Sequence, residues 1–189
     1  MSDTALDAAP ATAARDGKTV AAEAPRDEGS VTVALVTIAK PAQELYDFWR
    51  DFSNLQQLME NIERIDVIDR TRSTWVANAP GGRTVQWDAI VTEDQPGKLI
   101  AWESAEGAEI RNSGRVEFSD AGGRGTIVRA VIAYDPPGGT IGKLVAKLFQ
   151  REPAIQARRD LRRFKQYMET GEVATSARTR AHAAANKAG

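Results

Sequence analysis

Cysteine is missing from this chain of 189 residues, and histidine occurs once, at His182. Disulfides, a thiolate nucleophile and cysteine-ligated metals are therefore excluded. His182 stands in a polar C-terminal stretch, which also removes a histidine general base, a histidine triad or a histidine-rich metal site from the folded domain. No apolar run approaches the roughly 18–20 residues of a membrane helix. An excess of either charge is lacking too: Lys plus Arg number 25, Asp plus Glu 26, and the formal net charge is −1. That balance argues against a general nucleic-acid binder. The N-terminus opens with Asp3 and Asp7, not with the basic-then-apolar pattern of an export signal, so a cytoplasmic location is expected. Gly81-Gly82 and Gly122-Gly123 have no parallel strand–loop–helix unit around them, and so do not read as phosphate cradles. No metal and no cofactor is expected.

What is present is ordinary globular material, 42% hydrophobic and 27% charged, enough for one domain with a real core. Residues 1–29 hold Pro10 and Pro25 and, apart from Leu6 and Val20, almost nothing large and apolar. They bury too little surface to offset the entropy of ordering, and read as a disordered tail. Residues 172–189 read likewise, with Arg178, Arg180 and Lys187. The structured domain then spans about residues 30–171.

Within it, Val31, Val33 and Leu35 alternate with Thr32 and Ala34, the period of a strand. Lys40-Pro41 opens a helix, with Pro41 in its first turn and Leu45, Phe48, Trp49 and Phe52 as its apolar face. Ser53-Asn54 is expected to cap a second short helix over 55–59. Six strands are predicted next, over 62–69, 73–79, 83–92, 98–104, 109–119 and 125–134. They are separated by turn chemistry such as Pro80-Gly81-Gly82, Gln95-Pro96-Gly97 and Ala105-Glu106-Gly107. Connections this short favour an antiparallel meander. The sheet must stop at Asp135-Pro136-Pro137-Gly138-Gly139, because proline lacks the ladder donor and glycine holds a strand poorly. A long helix follows, over 140–170, with a bend expected near Glu152 because Pro153 cannot sit in a helix interior. Ala157, Leu161, Phe164 and Met168 recur on one side of it, and Gly171 ends it.

Alternation also sorts the strand faces. Val85, Trp87, Ala89 and Val91 share an inward face, as do Ile110, Asn112, Val116 and Phe118, and Val128, Ala130, Ile132 and Tyr134. Asp88, Glu103, Arg111, Arg115, Glu117 and Arg129 point the other way. A curved sheet with an apolar inner face, closed by a long helix, is a container.

An ordered series of motifs carries a family resemblance. It runs from Phe48-Trp49-Arg50-Asp51-Phe52-Ser53-Asn54-Leu55 through Trp75, Trp87-Asp88-Ala89, Trp102-Glu103-Ser104 and Arg124-Gly125-Thr126. It continues through the Asp135 to Gly139 turn to Asp160-Leu161-Arg162-Arg163-Phe164-Lys165 and Glu169-Thr170-Gly171-Glu172. The series resembles the bacterial SRPBCC proteins of the polyketide cyclase/dehydrase and lipid transport type, in the START/Bet v 1-like superfamily. The resemblance implies an α+β helix-grip fold: about seven bent antiparallel strands around the C-terminal helix, two short helices after the first strand, and a cavity between sheet and helix. Better-known relatives bind lipids, sterols, quinones or plant hormones, and a minority are aromatic polyketide cyclases.

The candidate ligand-binding residues are Trp87, Trp102, Asn112, Tyr134, Trp75, Phe118, Leu144 and Leu148. Each has a plain alternative as core, or as a polar group satisfied by a neighbour. No catalytic residue is identified. The expected partner is a small hydrophobic ligand such as a lipid, a quinone or a polyketide-like compound, with no nucleic acid. Two rival functions stay open. One is a cyclase or dehydratase, for which Tyr134 would be an inward acid or base. The other is an accessory protein touching a membrane through Arg158, Arg159, Arg162 and Arg163, against the plain reading of these arginines as a solvated face.

Overall fold

The computed structural model describes residues 30–79, 81–108, 110–135 and 153–173. The Pro136 to Gly139 turn, the first part of the predicted terminal helix, the expected bend at Glu152, the N-terminal tail and residues 174–189 of the C-terminal tail lie outside these residues.

Seven strands form one antiparallel sheet: β1 (Ser30–Ile38), β2 (Ile62–Val67), β3 (Arg72–Ala79), β4 (Arg83–Gln95), β5 (Leu99–Ser104), β6 (Arg111–Asp120) and β7 (Thr126–Asp135). Their order is β1-β7-β6-β5-β4-β3-β2, a meander whose first strand has crossed to pair with the last. Between β1 and β2 lie helix α1 (Ala42–Arg50) and a 3-10 turn (Phe52–Gln57), and helix α2 (Pro153–Thr170) follows the sheet. The sheet is a curled half-barrel gripping the C-terminal helix, which is the helix-grip fold.

Local chemistry explains the connections. Pro41 is the extended N-cap of α1 and not its first helical residue. The 3-10 turn is capped by Asp51, whose carboxylate accepts from the Ser53 N–H at 3.1 Å, so Ser53-Asn54 is not the cap expected from sequence. Asp51 wins because its side chain reaches the backbone two residues on, an Asx turn. Gly125 holds φ +95°, and a Cβ there would come 2.1 Å from the Ile38 carbonyl oxygen. Only glycine lets the start of β7 meet the end of β1 so closely. Gly171 takes φ +76° and donates to the Tyr167 carbonyl at 2.8 Å, ending α2.

The alternation in β1 identifies the strand, but Val31, Val33 and Leu35 face outward and are 48%, 40% and 60% exposed. Thr32, Ala34, Val36 and Ile38 face inward, on the side of β1 that α2 packs across, and Ile38 is fully buried. Two polar contacts fix that crossing. Lys165 Nζ donates to the Thr37 carbonyl at 2.7 Å, and Glu169 accepts from the Ala39 N–H at 2.8 Å.

The core lies between α1, α2 and the concave face. Ala157, Leu161 and Phe164 of α2 are buried against the sheet side. Phe164 stacks on Phe48 at 5.6 Å and meets Trp49 edge-on at 5.1 Å. Among the described residues, no helix is long and apolar enough to cross a membrane.

Candidate functional site

The register of the sheet sets which side chains share the concave face. Trp75 pairs with Trp87 across β3 and β4, Trp102 with Gly114 across β5 and β6, Asn112 with Tyr134 and Phe118 with Val128 across β6 and β7. Six of the eight sequence candidates, Trp75, Trp87, Trp102, Asn112, Phe118 and Tyr134, therefore lie on one curved surface. Leu144 and Leu148 fall outside the described residues.

These six do not play one part. Trp75 and Trp87 stack at 6.2 Å with an interplanar angle of 19°, and both are buried. The Trp75 indole N–H donates to Ser73 Oγ at 2.9 Å, and Phe52 closes on the same ring at 5.8 Å. The pair is a sealed wall with its polar atom satisfied, which is what a core aromatic looks like. Phe118 is buried too, edge-on to Tyr46 at 6.1 Å.

The sector around Trp102 differs. Trp102, Ser104, Asn112, Gly114 and Ile132 stay half-buried although they occupy the inner face of central strands. Ser104 Oγ accepts from the Asn112 backbone N–H at 2.9 Å and donates to the Asn112 carbonyl at 3.2 Å. That hydroxyl is spent on the backbone. The Asn112 side-chain amide makes no hydrogen bond among the described residues, and so offers a donor and an acceptor beside the indole. Tyr134, directly opposite, is buried. On α1, the buried Trp49 Nε1 has no acceptor among the described residues.

Two ionisable groups that sequence reasoning passed over come into view. Tyr46, on α1, is buried and donates its hydroxyl to Asp94 Oδ1. Arg50 Nε holds Asp94 Oδ2 at 2.7 Å and its other end reaches the Arg70 carbonyl. Burial, and then the Asp94 carboxylate, push the Tyr46 hydroxyl up to about 12. Partial burial works the other way at Asp94, but the hydrogen bonds from Tyr46 and Arg50 hold its carboxyl below the usual range. This cluster pins α1 across β4 and the β2–β3 turn.

The second group is Asp160, half-buried on the flank of α2 that faces Leu58 and Glu60. Gln156 Nε2 donates to it at 2.9 Å. Burial pushes its carboxyl up to about 7, against that hydrogen bond and the Arg163 guanidinium, which pull it down. Arg163 is itself engaged: it donates to the Leu58 carbonyl at 3.3 Å and pairs with Glu60. Of the arginines proposed for a membrane face, Arg158, Arg159 and Arg162 are exposed and Arg163 is half-buried in this contact.

A profile of the family described as "Polyketide cyclase / dehydrase and lipid transport" matches residues 38–162. The chain belongs to this family. The matched span takes in Trp75, Trp87, Trp102, Asn112, Phe118, Tyr134 and Asp160. A solved structure of DR_A0006 from Deinococcus radiodurans is 42% identical, with a TM-score of 0.62, and the match covers 76% of this chain and all of that one. TTHA0849 from Thermus thermophilus is 24% identical over 76% of this chain and 99% of its own, with a TM-score of 0.63. The Zhui aromatase/cyclase from Streptomyces sp. R1128 is 14% identical over 77% of this chain and 99% of its own, with a TM-score of 0.57. At these lower identities the likeness is one of fold. No curated protein matches the chain. Family and fold together indicate a hydrophobic ligand-binding or polyketide cyclase-type protein.

Sequence alternation placed the inward residues but could not separate sealed from open. That distinction depends on Phe52 arriving at Trp75 from the 3-10 turn and on a glycine facing Trp102, both contacts between distant parts of the chain.

Proposed function

We propose that this polyketide cyclase/dehydrase family member binds a small hydrophobic ligand on the concave face of its sheet, beside the terminal helix. The ligand class is lipid, quinone or polyketide-like. One observation carries the reading: the inner face is sealed at Trp75 and Trp87 yet half-open at Trp102, Asn112 and Ile132. An apolar surface left partly wet inside a curved sheet gains about 25 cal/mol per Å² when a ligand covers it. A few polar groups then set orientation. Asn112 supplies an amide whose hydrogen bonds are not taken by the described residues, and Tyr134 stands across from it. The test is native mass spectrometry of gently purified protein, with tryptophan quenching by a panel of quinones and fatty acids. A co-purifying apolar molecule, or saturable quenching lost in Trp102→Ala, supports the reading. Silence across the panel refutes it.

A second reading, a cyclase or dehydratase, draws on Asp160. A half-buried carboxyl whose pKa is pushed to about 7 holds and releases a proton at neutral pH, as acid–base catalysis requires. Turnover of a poly-β-ketone analogue that vanishes in Asp160→Asn supports it. Turnover unchanged in Asp160→Asn and Tyr134→Phe removes these residues from any such chemistry.

A further inference from the structure

Gly114 occupies the middle of β6, where glycine needs a reason. A strand interior disfavours it, since it costs conformational entropy and packs nothing. Its backbone supplies no reason, as its φ is not among the positive-φ glycines of the chain. The space above it does. A Cβ built on Gly114 would lie 2.4 Å from Trp102 Cζ2, 2.8 Å from Cε2 and 3.0 Å from Cη2. The benzo half of the indole therefore rests where any other residue would put its first side-chain carbon. Trp102 lies down across β6 instead of standing up into the interior. Asn112, Val116 and Phe118, the other inward residues around it on β6, all carry side chains, so the flat place is one residue wide.

Burying an indole does not demand this arrangement. Trp75 and Trp87 are sealed by stacking on each other, with 7% exposure each. Trp102 is laid flat and still left half-open. One face of the ring is used up on Gly114, and the Asn112 amide flanks it from the same strand.

We propose that Gly114 is a specificity-determining residue: by letting Trp102 lie flat, it turns the open sector into a platform selective for planar aromatic rings that carry a hydroxyl or keto group for Asn112. This rests on the ligand-binding reading above. An alkyl chain covers the same area but gains nothing from a planar partner. Aromatic pairs in offset or edge geometry gain beyond area, corresponding to about 3- to 10-fold in affinity.

The experiment compares two probes, 2-naphthol and 1-decanol, which have the same carbon count and one hydroxyl each. Their affinities are measured by calorimetry on the wild type, Gly114→Ala and Trp102→Leu, with near-ultraviolet circular dichroism to check folding. The wild type is expected to prefer 2-naphthol. Gly114→Ala tips the indole off the strand and Trp102→Leu keeps apolar bulk without a flat face. Each should weaken 2-naphthol about 3- to 10-fold and change 1-decanol by less than about 2-fold. Equal loss for both probes, or none for either, overturns the platform while leaving a hydrophobic site intact. A folded wild type that binds members of the quinone and fatty-acid panel but neither probe overturns the platform, and one silent toward panel and probes alike sinks the ligand-binding reading itself. If Gly114→Ala does not fold, Trp102→Leu decides the matter alone.

Discussion

Replacing Asp160 by Asn should stabilise the protein at pH 8 and leave it unchanged at pH 3, below both the unfolded and the folded pKa. The carboxyl is raised from 3.8 to about 7 by folding. Between those values the folded state holds a proton that the unfolded chain gives up, so stability falls as pH rises from about 4 to 7. Above pH 7 the folded protein carries a half-buried negative charge. Each tenfold change in proton affinity is worth about 1.4 kcal/mol, so a roughly thousandfold change would give about 4 kcal/mol in the ideal case. Asp160 is only partly buried and Glu60 and Arg163 lie nearby, so solvent screening halves this to about 2 kcal/mol. Asparagine keeps the acceptor that Gln156 Nε2 reaches at 2.9 Å, which preserves the local geometry at both pH values. The assay is urea unfolding of both proteins at pH 3 and pH 8. A gain of about 2 kcal/mol in the variant at pH 8, absent at pH 3, is the expected pattern. A variant less stable than wild type at pH 8 would mean that Asp160 is ionised and usefully paired with Arg163, and would refute the reasoning.

Other outcomes follow from the same structure. Phe164→Ala removes a fully buried ring that touches both Phe48 and Trp49, and should cost about 3–5 kcal/mol in denaturant unfolding. Gly125→Ala combines a φ of +95° with a Cβ 2.1 Å from the Ile38 carbonyl; the strain and the clash should lower stability by more than about 2 kcal/mol, read as a fall in Tm. Asp94→Asn removes the acceptor for Tyr46 and Arg50. Because folding lowers the Asp94 pKa, its contribution is present at neutral pH and lost as pH falls through the carboxylate range, so the variant's deficit at pH 7 should shrink toward pH 3. The same variant should lower the Tyr46 titration midpoint from about 12, followed by ultraviolet absorbance.

Strand identity was legible because polar and apolar residues alternate cleanly between strong turn signals. The inward set of β4, β6 and β7 could be read directly from that period, and the family motifs supplied the curl of the sheet around α2. Where reading failed, a distant contact had overridden the local pattern. In β1 the alternation marks a strand without saying which side turns in: Val31, Val33 and Leu35 face out, while Thr32, Ala34, Val36 and Ile38 lie on the side that α2 crosses. Tyr46 and Asp94 are 48 residues apart, and no spacing rule links them. Asp160 looked like one more charge on an arginine-rich face until the fold partly buried it near Glu60 and Arg163. Gly114 carries no signal of its own in the sequence, and it acquires meaning when Trp102 is seen lying on it.

The central claim is that an apolar ligand settles on the concave face over Trp102 and Asn112. Its most direct test is a nuclear magnetic resonance titration of nitrogen-15-labelled protein with 2-naphthol, following backbone amide, indole N–H and side-chain amide signals. The account predicts that the Trp102 indole and the Asn112 amide shift most and saturate together, while Trp75 and Trp87 barely move. Shifts confined to the outward residues of β1, such as Val31, Val33 and Leu35, or no saturable shift at Trp102, would contradict it.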